Sequence, residues 1–325
     1  MAQHVRRTFL TLLAAVAATA PLTGMRGQSP RRPRRIGFLI GNEPSLVRAF
    51  TDALKGLGYT EDHLFVDSRV ATGPEMVKAA NELATGDLEL VVAAALPQAL
   101  EIRKANPAMP MVIGTCPGMI SNGFAKSLER PGGNVTGMDE LPVGVTVKRV
   151  TLLKTAVPGL ARIGLLSTTP GRGGHEVQLA EAQQAARTLG VSVQPYRATS
   201  APELAQALAA MVSDGMDGFT NFQGGLSLAN RKLIVEFAAQ HKLPAMYQAT
   251  LFAEAGGLMA WAPDLEEQFR MAASYVDQIL RGAKPGDLPI RQPARYFLTI
   301  NAGAARGLGV TLPPALLAQA DRLLP

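Results

Sequence analysis

The sequence predicts an α/β protein of two lobes, each a parallel sheet covered by helices. Two observations carry this expectation. From Ile36 onward, apolar runs of strand length alternate with stretches of helical spacing, the pattern of a parallel sheet with helices on both faces. The pattern also begins twice. Arg35-Ile36-Gly37-Phe38-Leu39-Ile40 leads through a helical stretch to Leu57-Gly58-Tyr59, and Arg162-Ile163-Gly164-Leu165-Leu166-Ser167 leads through another to Leu189-Gly190-Val191. An offset of roughly 127 residues is too long for a solenoid repeat and fits two copies of one domain-sized unit. With 325 residues, 47% of them apolar and 18% charged, the chain can bury two cores.

In the first copy, 36–40 is a continuous apolar run suited to a buried parallel strand. A helix follows over 45–57, with Leu46, Val47, Phe50, Ala53, Leu54 and Leu57 on one face and Pro44-Ser45 as its start. Strands are then expected over 64–70, 88–94 and 111–114, with helices over 74–84 and 98–105 between them. Residues 128–141, which include Pro131-Gly132-Gly133, read as the turn between the copies, and a helix over 145–156 carries the chain across. The second copy repeats the scheme, with strands over 163–166, 191–196, 218–221 and 245–247. Its helices fall over 176–189, 202–212 and 228–240, the last ended before Leu243-Pro244. A strand over 256–261 is approached through Gly256-Gly257, a helix over 265–280 is stopped by Gly282 and Pro285, and 296–300 is read as the last strand.

The formal charge of +6 does not mark a nucleic-acid binder. Arg6, Arg7, Arg26, Arg31, Arg32, Arg34 and Arg35 all precede the first helix, and the remainder of the chain is close to neutral. The N-terminus reads instead as an export signal over 1–28. Arg6-Arg7-Thr8-Phe9-Leu10 opens an apolar run to Ala20 that is too short to span a bilayer. The arginine pair resembles the twin-arginine export signature, with Val5 in place of the usual hydroxyl residue; an ordinary Sec signal is the alternative. Ala18-Thr19-Ala20 is a cleavage triplet with Pro21 unfavourably behind it, and no lipobox cysteine is present. Residues 29–35, rich in Pro and Arg, read as a flexible leader.

The single cysteine, Cys116, excludes an internal disulfide and a Cys/His zinc set. No Gly-x-Ser-x-Gly elbow, phosphate-binding Walker loop or dinucleotide fingerprint is present. Gly171-Arg172-Gly173-Gly174 is the nearest thing to a phosphate cradle and reads more simply as a strand-to-helix loop. His63, His175 and His241 lack metal spacing and read as surface or capping residues. No catalytic residue, metal or cofactor is expected.

Several ordered motifs resemble one family. These are residues 128–137, Gly256-Gly257-Leu258-Met259, residues 279–285 with Leu288-Pro289, and Ile300-Asn301 ahead of residues 305–309 and Leu312-Pro313-Pro314. They are similar to the substrate-binding components of ABC importers, in the type I periplasmic group that includes tryptophan and tyrosine binders, and the likeness runs from about Arg35 to the C-terminus. The resemblance implies two Rossmann-like lobes joined by a three-strand hinge. Lobe 1 would take 36–141 plus 257–291, and lobe 2 would take 142–256 plus 292–325. It also implies an exported, soluble, periplasmic protein, expected as a monomer, that takes a small ligand to an importer permease and binds no nucleic acid. A ligand sensor of the same fold docking to a membrane receptor or kinase is the second reading. An exported enzyme using the cleft is a third, from another class.

In open parallel sheets ligands bind beyond the carboxyl ends of the strands. The residues placed there by the sequence are Asn42, Ser45, Leu96, Pro97, Gln98, Thr115, Cys116 and Asp139 from the first lobe. From the second come Ser167, Thr168, Thr169, Phe222, Gln223 and Tyr247, with Trp261 as a further cleft wall. Helix N-termini at Ser45 and after Thr169 suit a carboxylate. Relatives often carry Asp-Pro after the fourth strand, Ser-Tyr-Gly where this chain has Ala260-Trp261-Ala262, and an acidic residue near Phe222-Gln223. These departures exchange acids and hydroxyls for indole surface, so stacking on a planar ligand is expected to matter more than an ammonium partner.

Overall fold

The computed structural model describes residues 33–169, 173–222 and 224–325. The export signal, most of the leader, Gln223 and the Gly171-Arg172 part of the glycine-rich loop lie outside the described residues.

The first lobe carries a five-stranded parallel sheet in the order β2-β1-β3-β4-β5. Its strands are β1 (Arg34–Ile40), β2 (Leu64–Val70), β3 (Leu90–Ala95), β4 (Met111–Cys116) and β5 (Val135–Asp139). Helices α1 (Pro44–Gly56), α2 (Gly73–Thr85) and α3 (Leu96–Ala105) connect the first four. Ile36, Phe38 and Ile40 point to one face and meet Phe50 and Leu54 of α1, while Leu39 points to the other and meets Leu83 of α2. This alternation follows from the period of two along a strand buried on both sides. The leader expected to reach Arg35 gives way earlier, because Arg34 and Arg35 already pair with Leu64 and Phe65.

After β5 the chain crosses into α4 (Val145–Ala156) and builds β6 (Arg162–Ser167), α5 (Gly173–Leu189), β7 (Ser192–Arg197), α6 (Ala201–Ser213) and β8 (Gly218–Asn221). Two helices, α7 (Gly225–Ala229) and α8 (Arg231–Gln240), stand where the periodicity predicts one. Asn230, at φ −101° and ψ 22°, separates them. Then come β9 (Ala245–Tyr247), α9 (Thr250–Glu254), β10 (Met259–Ala262), α10 (Leu265–Leu280), β11 (Phe297–Asn301), α11 (Ala302–Leu308), α12 (Pro314–Leu317) and β12 (Arg322–Leu324). The second sheet runs β12-β11-β10-β9-β8-β6-β7. Its segment β7-β6-β8-β9-β10 repeats the order of the first sheet, so the duplicated sequence pattern is a duplicated topology. Only the β10–β11 pairing is antiparallel among the pairings that join these strands.

Three crossovers join the lobes, after β5, between β10 and α10, and between residue 291 and β11. The first and third run side by side, Asp139 N–H donating to Arg291 O and Arg291 N–H to Gly137 O. The segment 257–262 is expected in lobe 1 but its strand, β10, hydrogen-bonds between β9 and β11, with Trp261 opposite Leu298. Pro263, without an N–H to donate, stands where the pairing stops, and lobe 1 regains the chain at α10. There Phe269 packs 6.0 Å from Phe38, which in turn lies 4.6 Å from Phe50. Each of these fully buried rings contributes roughly 1.5–3 kcal/mol by leaving water.

Two strands depart from the sequence reading. The presumed turn 128–141 contains β5, whose Gly137 has φ +142° and packs so closely on β4 that a Cβ would lie 2.1 Å from Ile113 O. The close approach explains a glycine within a strand. The strand at 297–301 is not the last, since β12 adds in parallel to β11. Among the described residues no helix is long and apolar enough to cross a membrane.

Candidate functional site

The carboxyl ends of both sheets face one cleft, and the lobes touch across it. Glu43, in the turn after β1, pairs with Arg231 of α8 at 2.7 Å, with 11% and 23% of the two side chains exposed. Arg231 is further tied to Leu228 O. Pro117 after β4 abuts Gly174 in the first turn of α5, where a Cβ would fall 2.5 Å from Pro117 O. Pro97 at the start of α3 approaches Gly225, whose Cβ would stand 3.7 Å from the proline Cγ. A cavity of about 240 Å³ opens at one mouth of the cleft, lined by Met76, Leu96, Pro97, Leu100 and Glu101 of lobe 1 and by Thr168, Thr169 and Thr199 of lobe 2.

Five buried polar atoms around this cleft have no hydrogen-bond partner among the described residues: Gln98 Oε1, Thr168 Oγ1, His175 Nε2, Asn221 Nδ2 and Gln248 Oε1. Their residues are between 0% and 8% exposed. An unsatisfied buried polar atom costs about 1–3 kcal/mol, so such a concentration at strand ends marks a place where a further molecule is to supply the partners. Local structure explains their positions. Asn221 ends β8, Thr168 follows β6, Gln248 follows β9, and Gln98 lies in the first turn of α3.

A network holds three of these groups in fixed orientations. Asn221 Oδ1 accepts from Gln248 N–H at 3.1 Å. Gln248 Nε2 donates to Ser227 Oγ at 2.9 Å and Gly224 O at 3.2 Å. His175 Nδ1 shares a hydrogen bond of 2.7 Å with Ser167 Oγ, and its ring meets Phe222 edge-on at 5.6 Å. Burial lowers the His175 pKa from its ordinary value, against a smaller opposing pull from Glu176 and with Arg197 adding to the fall. Underneath, Arg149 of α4 is buried and donates from Nε to Trp261 O and from Nη2 to Gln248 O. Burial brings its pKa down to about 10, so it stays charged at neutral pH and ties the second crossover to the site.

The expected site residues divide accordingly. Leu96, Pro97, Gln98, Thr168 and Thr169 gather at the cleft. Thr115 is half-buried at the end of β4 and donates to Ala94 O, and Ser167 supports His175. Asn42 is exposed in the turn after β1. Ser45 lines a separate furrow of about 400 Å³ between α1 and α10, with Arg48, Asp52, Glu266 and Arg270. Although larger, that furrow is lined by no unpartnered buried polar atom.

Five of the expected site residues have side chains engaged elsewhere. Cys116 is fully buried in the lobe 1 core with Met119 and Phe124, and burial pushes its thiol pKa well up. Asp139 spends its carboxylate on the N–H groups of Gly118, Met119 and Leu141, at 3.1, 2.9 and 3.0 Å, and so fastens the loop after β4. Tyr247 stacks on Phe252 at 4.8 Å inside the lobe 2 core, and burial raises its phenol pKa. Trp261 stacks on Tyr296 at 5.9 Å beneath Lys148, so its indole belongs to the hinge. Phe222 is buried against His175 rather than presenting a face to the cleft. His175, expected as a surface or capping residue, is 1% exposed. Asn221 and Arg231 were not singled out, and only their places at a strand end and a helix start could have pointed to them.

The fold and the cleft together define a two-lobed binding protein. Comparison with known proteins gives the family: the chain belongs to the ABC transporter substrate binding proteins, whose pattern it matches over residues 43–324. It is 24% identical over 286 residues to a tyrosine-binding protein of Clostridioides difficile, covering 86% of this chain and 81% of that protein. Among solved structures it resembles a streptococcal ABC domain in complex with L-Trp, from Streptococcus pneumonia, with a TM-score of 0.80 and 26% identity over 89% of this chain and all of that one. It also resembles a conserved domain protein from Vibrio cholerae, with a TM-score of 0.82 and 25% identity over 90% of this chain and all of the other. The chain is thus a substrate-binding protein of the ABC transport class, with two α/β lobes of the type I periplasmic binding fold.

Proposed function

We propose that this protein is exported, captures a small molecule between its lobes outside the cytoplasm, and delivers it as a monomer to the permease of an ABC importer without transforming it. The observation that carries the reading is the set of five buried, unpartnered polar atoms at the carboxyl ends of the two sheets. One comes from lobe 1 and four from lobe 2, so a bound molecule touches both lobes only when they are closed. The apolar walls Leu96 and Pro97 beside Thr168 and Thr169 suit a ligand with an apolar part as well as polar groups.

The relatives that bind tyrosine or carry L-Trp support a ligand of metabolite size. Export is argued from the Arg6-Arg7 signal, and the twin-arginine route from that pair. The test is direct. The purified chain is denatured and whatever it releases is identified by mass spectrometry, then returned to ligand-free protein in a calorimeter. Saturable binding at one site with no turnover is expected; conversion of the molecule on incubation would make the protein an enzyme. Replacing Arg6-Arg7 by two lysines should leave precursor in the cytoplasm, and unaffected export would assign the Sec route.

A further inference from the structure

Two of the five unpartnered groups have their chemistry fixed by neighbours. Asn221 must present its Nδ2 donor, because its Oδ1 already accepts from Gln248 N–H. Gln248 must present its Oε1 acceptor, because its Nε2 is spent on Ser227 Oγ and Gly224 O. Thr168 Oγ1 sits close enough to Gly224 that a Cβ there would fall 2.2 Å away, so the hydroxyl and the two amides belong to one patch. A hydroxyl can donate or accept. Across the cleft Gln98 offers another uncharged amide.

Among the described residues, the buried charged side chains at the cleft are neutralised or occupied, and the charges nearest His175, Glu176 and Arg197, are exposed to solvent. Asp139 is filled by three backbone N–H groups. Glu140, in the first crossover, accepts from Gln268 Nε2 at 2.8 Å. Glu43 and Arg231 hold each other across the lobes. At the mouth, Glu101 stands 3.9 Å from Lys104. Burial keeps His175, the remaining titratable group of the patch, in its uncharged form at neutral pH. A zwitterion enclosed here would have to bury its ammonium and carboxylate against neutral dipoles or split the Glu43–Arg231 pair. Either choice leaves charge without a full counter-charge in a water-poor space.

Building on the capture reading above, we infer that the cleft selects an uncharged molecule presenting a hydrogen-bond acceptor and donor together, a carboxamide or ureide, in preference to an amino-acid zwitterion. The acceptor, a carbonyl oxygen, takes the Asn221 Nδ2 proton. The donor, an N–H, goes to Gln248 Oε1, and Thr168 takes whichever sense remains. Amides held in one orientation by their own networks discriminate strongly, since a ligand with the wrong sense leaves both partners unpaired.

The experiment uses the full chain and, as probe, the small-molecule extract of bacterial cells. Protein is equilibrated with the extract, freed of unbound solutes and denatured, and the released molecules are separated by electrophoresis at pH 7 with mass detection. An uncharged species with an amide or ureide group is the expected result. Asn221→Asp keeps the oxygen that receives Gln248 N–H and replaces only the free donor by a carboxylate oxygen. It should retain at least tenfold less of that species, with its circular dichroism unchanged. Release of an amino acid or another ion, or equal or better retention by Asn221→Asp, overturns the neutral-ligand inference and leaves the capture reading standing. Release of nothing by the wild-type chain, with no shift in its melting temperature in the extract, removes the capture reading and this inference with it. If Asn221→Asp does not fold, the charge of the molecule released by the wild-type chain decides alone.

Discussion

Replacing Gly174 by Ala should hinder closure of the lobes while leaving each lobe folded. Gly174 lies in the first turn of α5, where its backbone φ is ordinary, so alanine meets no strain of its own. Its difficulty is across the cleft: the new Cβ would fall 2.5 Å from Pro117 O and 3.0 Å from Pro117 Cβ. Comfortable carbon–oxygen contact is about 3.3–3.6 Å, so the lobes must part by about 1 Å at this point or the loop after β4 must give. That loop is fastened by the three N–H bonds to Asp139, which resists the second route. Overpacking of this kind costs about 1–3 kcal/mol, which lowers the closing equilibrium roughly 5- to 150-fold and weakens apparent affinity by up to the same factor. The fold itself should gain, since alanine exceeds glycine by about 1 kcal/mol within a helix. Gly307→Ala in α11, where a Cβ meets nothing within 4 Å, is the control for that gain. Small-angle scattering should give Gly174→Ala a larger radius of gyration than wild type and Gly307→Ala, with a melting temperature no lower than wild type. An unchanged radius with unchanged affinity for the released ligand would refute the contact as a determinant of closure.

Further outcomes follow from single groups. Glu43→Gln leaves Arg231 without its counter-charge in a partly buried setting. This should cost the closed form about 1–3 kcal/mol, below the range for fully buried pairs, and scattering should again detect opening. His175 has a lowered pKa in the folded chain, so the unfolded chain binds its proton more readily. The stability it confers is present above the ordinary value of 6.5 and is lost as pH falls below it, and His175→Gln should flatten the decline in melting temperature between pH 7.5 and 5. Trp261→Ala removes the stack on Tyr296 at the hinge and should lower stability by about 2–4 kcal/mol in urea titration, while ligand retention changes little. Cys116 should resist a thiol-specific reagent in the native protein and react only on denaturation; rapid native reaction would contradict its place in the core.

What was legible in the fold was local. The strands at 64–70, 218–221 and 245–247 and the helices at 145–156 and 265–280 stand where periodicity put them, because each buries an apolar face whose spacing is written along the chain. The duplicated start at Arg35 and Arg162 translated directly into two sheets of the same strand order. Strand β5 escaped because Gly137, needed for close approach to Ile113, interrupts an already short apolar run beside Pro131-Gly132-Gly133. The assignment of 257–262 to the wrong lobe has a related cause. A strand's pattern records that it is buried but not which sheet it joins, and β10 is the last strand before a crossover.

The site was legible as a place more than as a set of side chains. Topology fixes that ligands approach the carboxyl ends of parallel strands, and Leu96, Pro97, Gln98, Thr168 and Thr169 lie there for that reason. Beyond a strand's end the alternation of sides no longer predicts direction, and one residue of shift separates a cleft group from a core group. Tyr247 turns into the core against Phe252, whereas Gln248, its neighbour, reaches the patch. Phe222 is buried, whereas Asn221 carries the unpartnered amide nitrogen. The charged residues were misjudged for a different reason. An aspartate at a crossover invites a ligand-binding reading, but Asp139 is saturated by three backbone donors that no motif reveals. Glu43 and Arg231, 188 positions apart in sequence, meet only because the lobes close. Their mutual neutralisation leaves the buried, unpartnered hydrogen-bonding groups among the described residues of the cleft without charge, and that property exists only in the assembled pair of lobes.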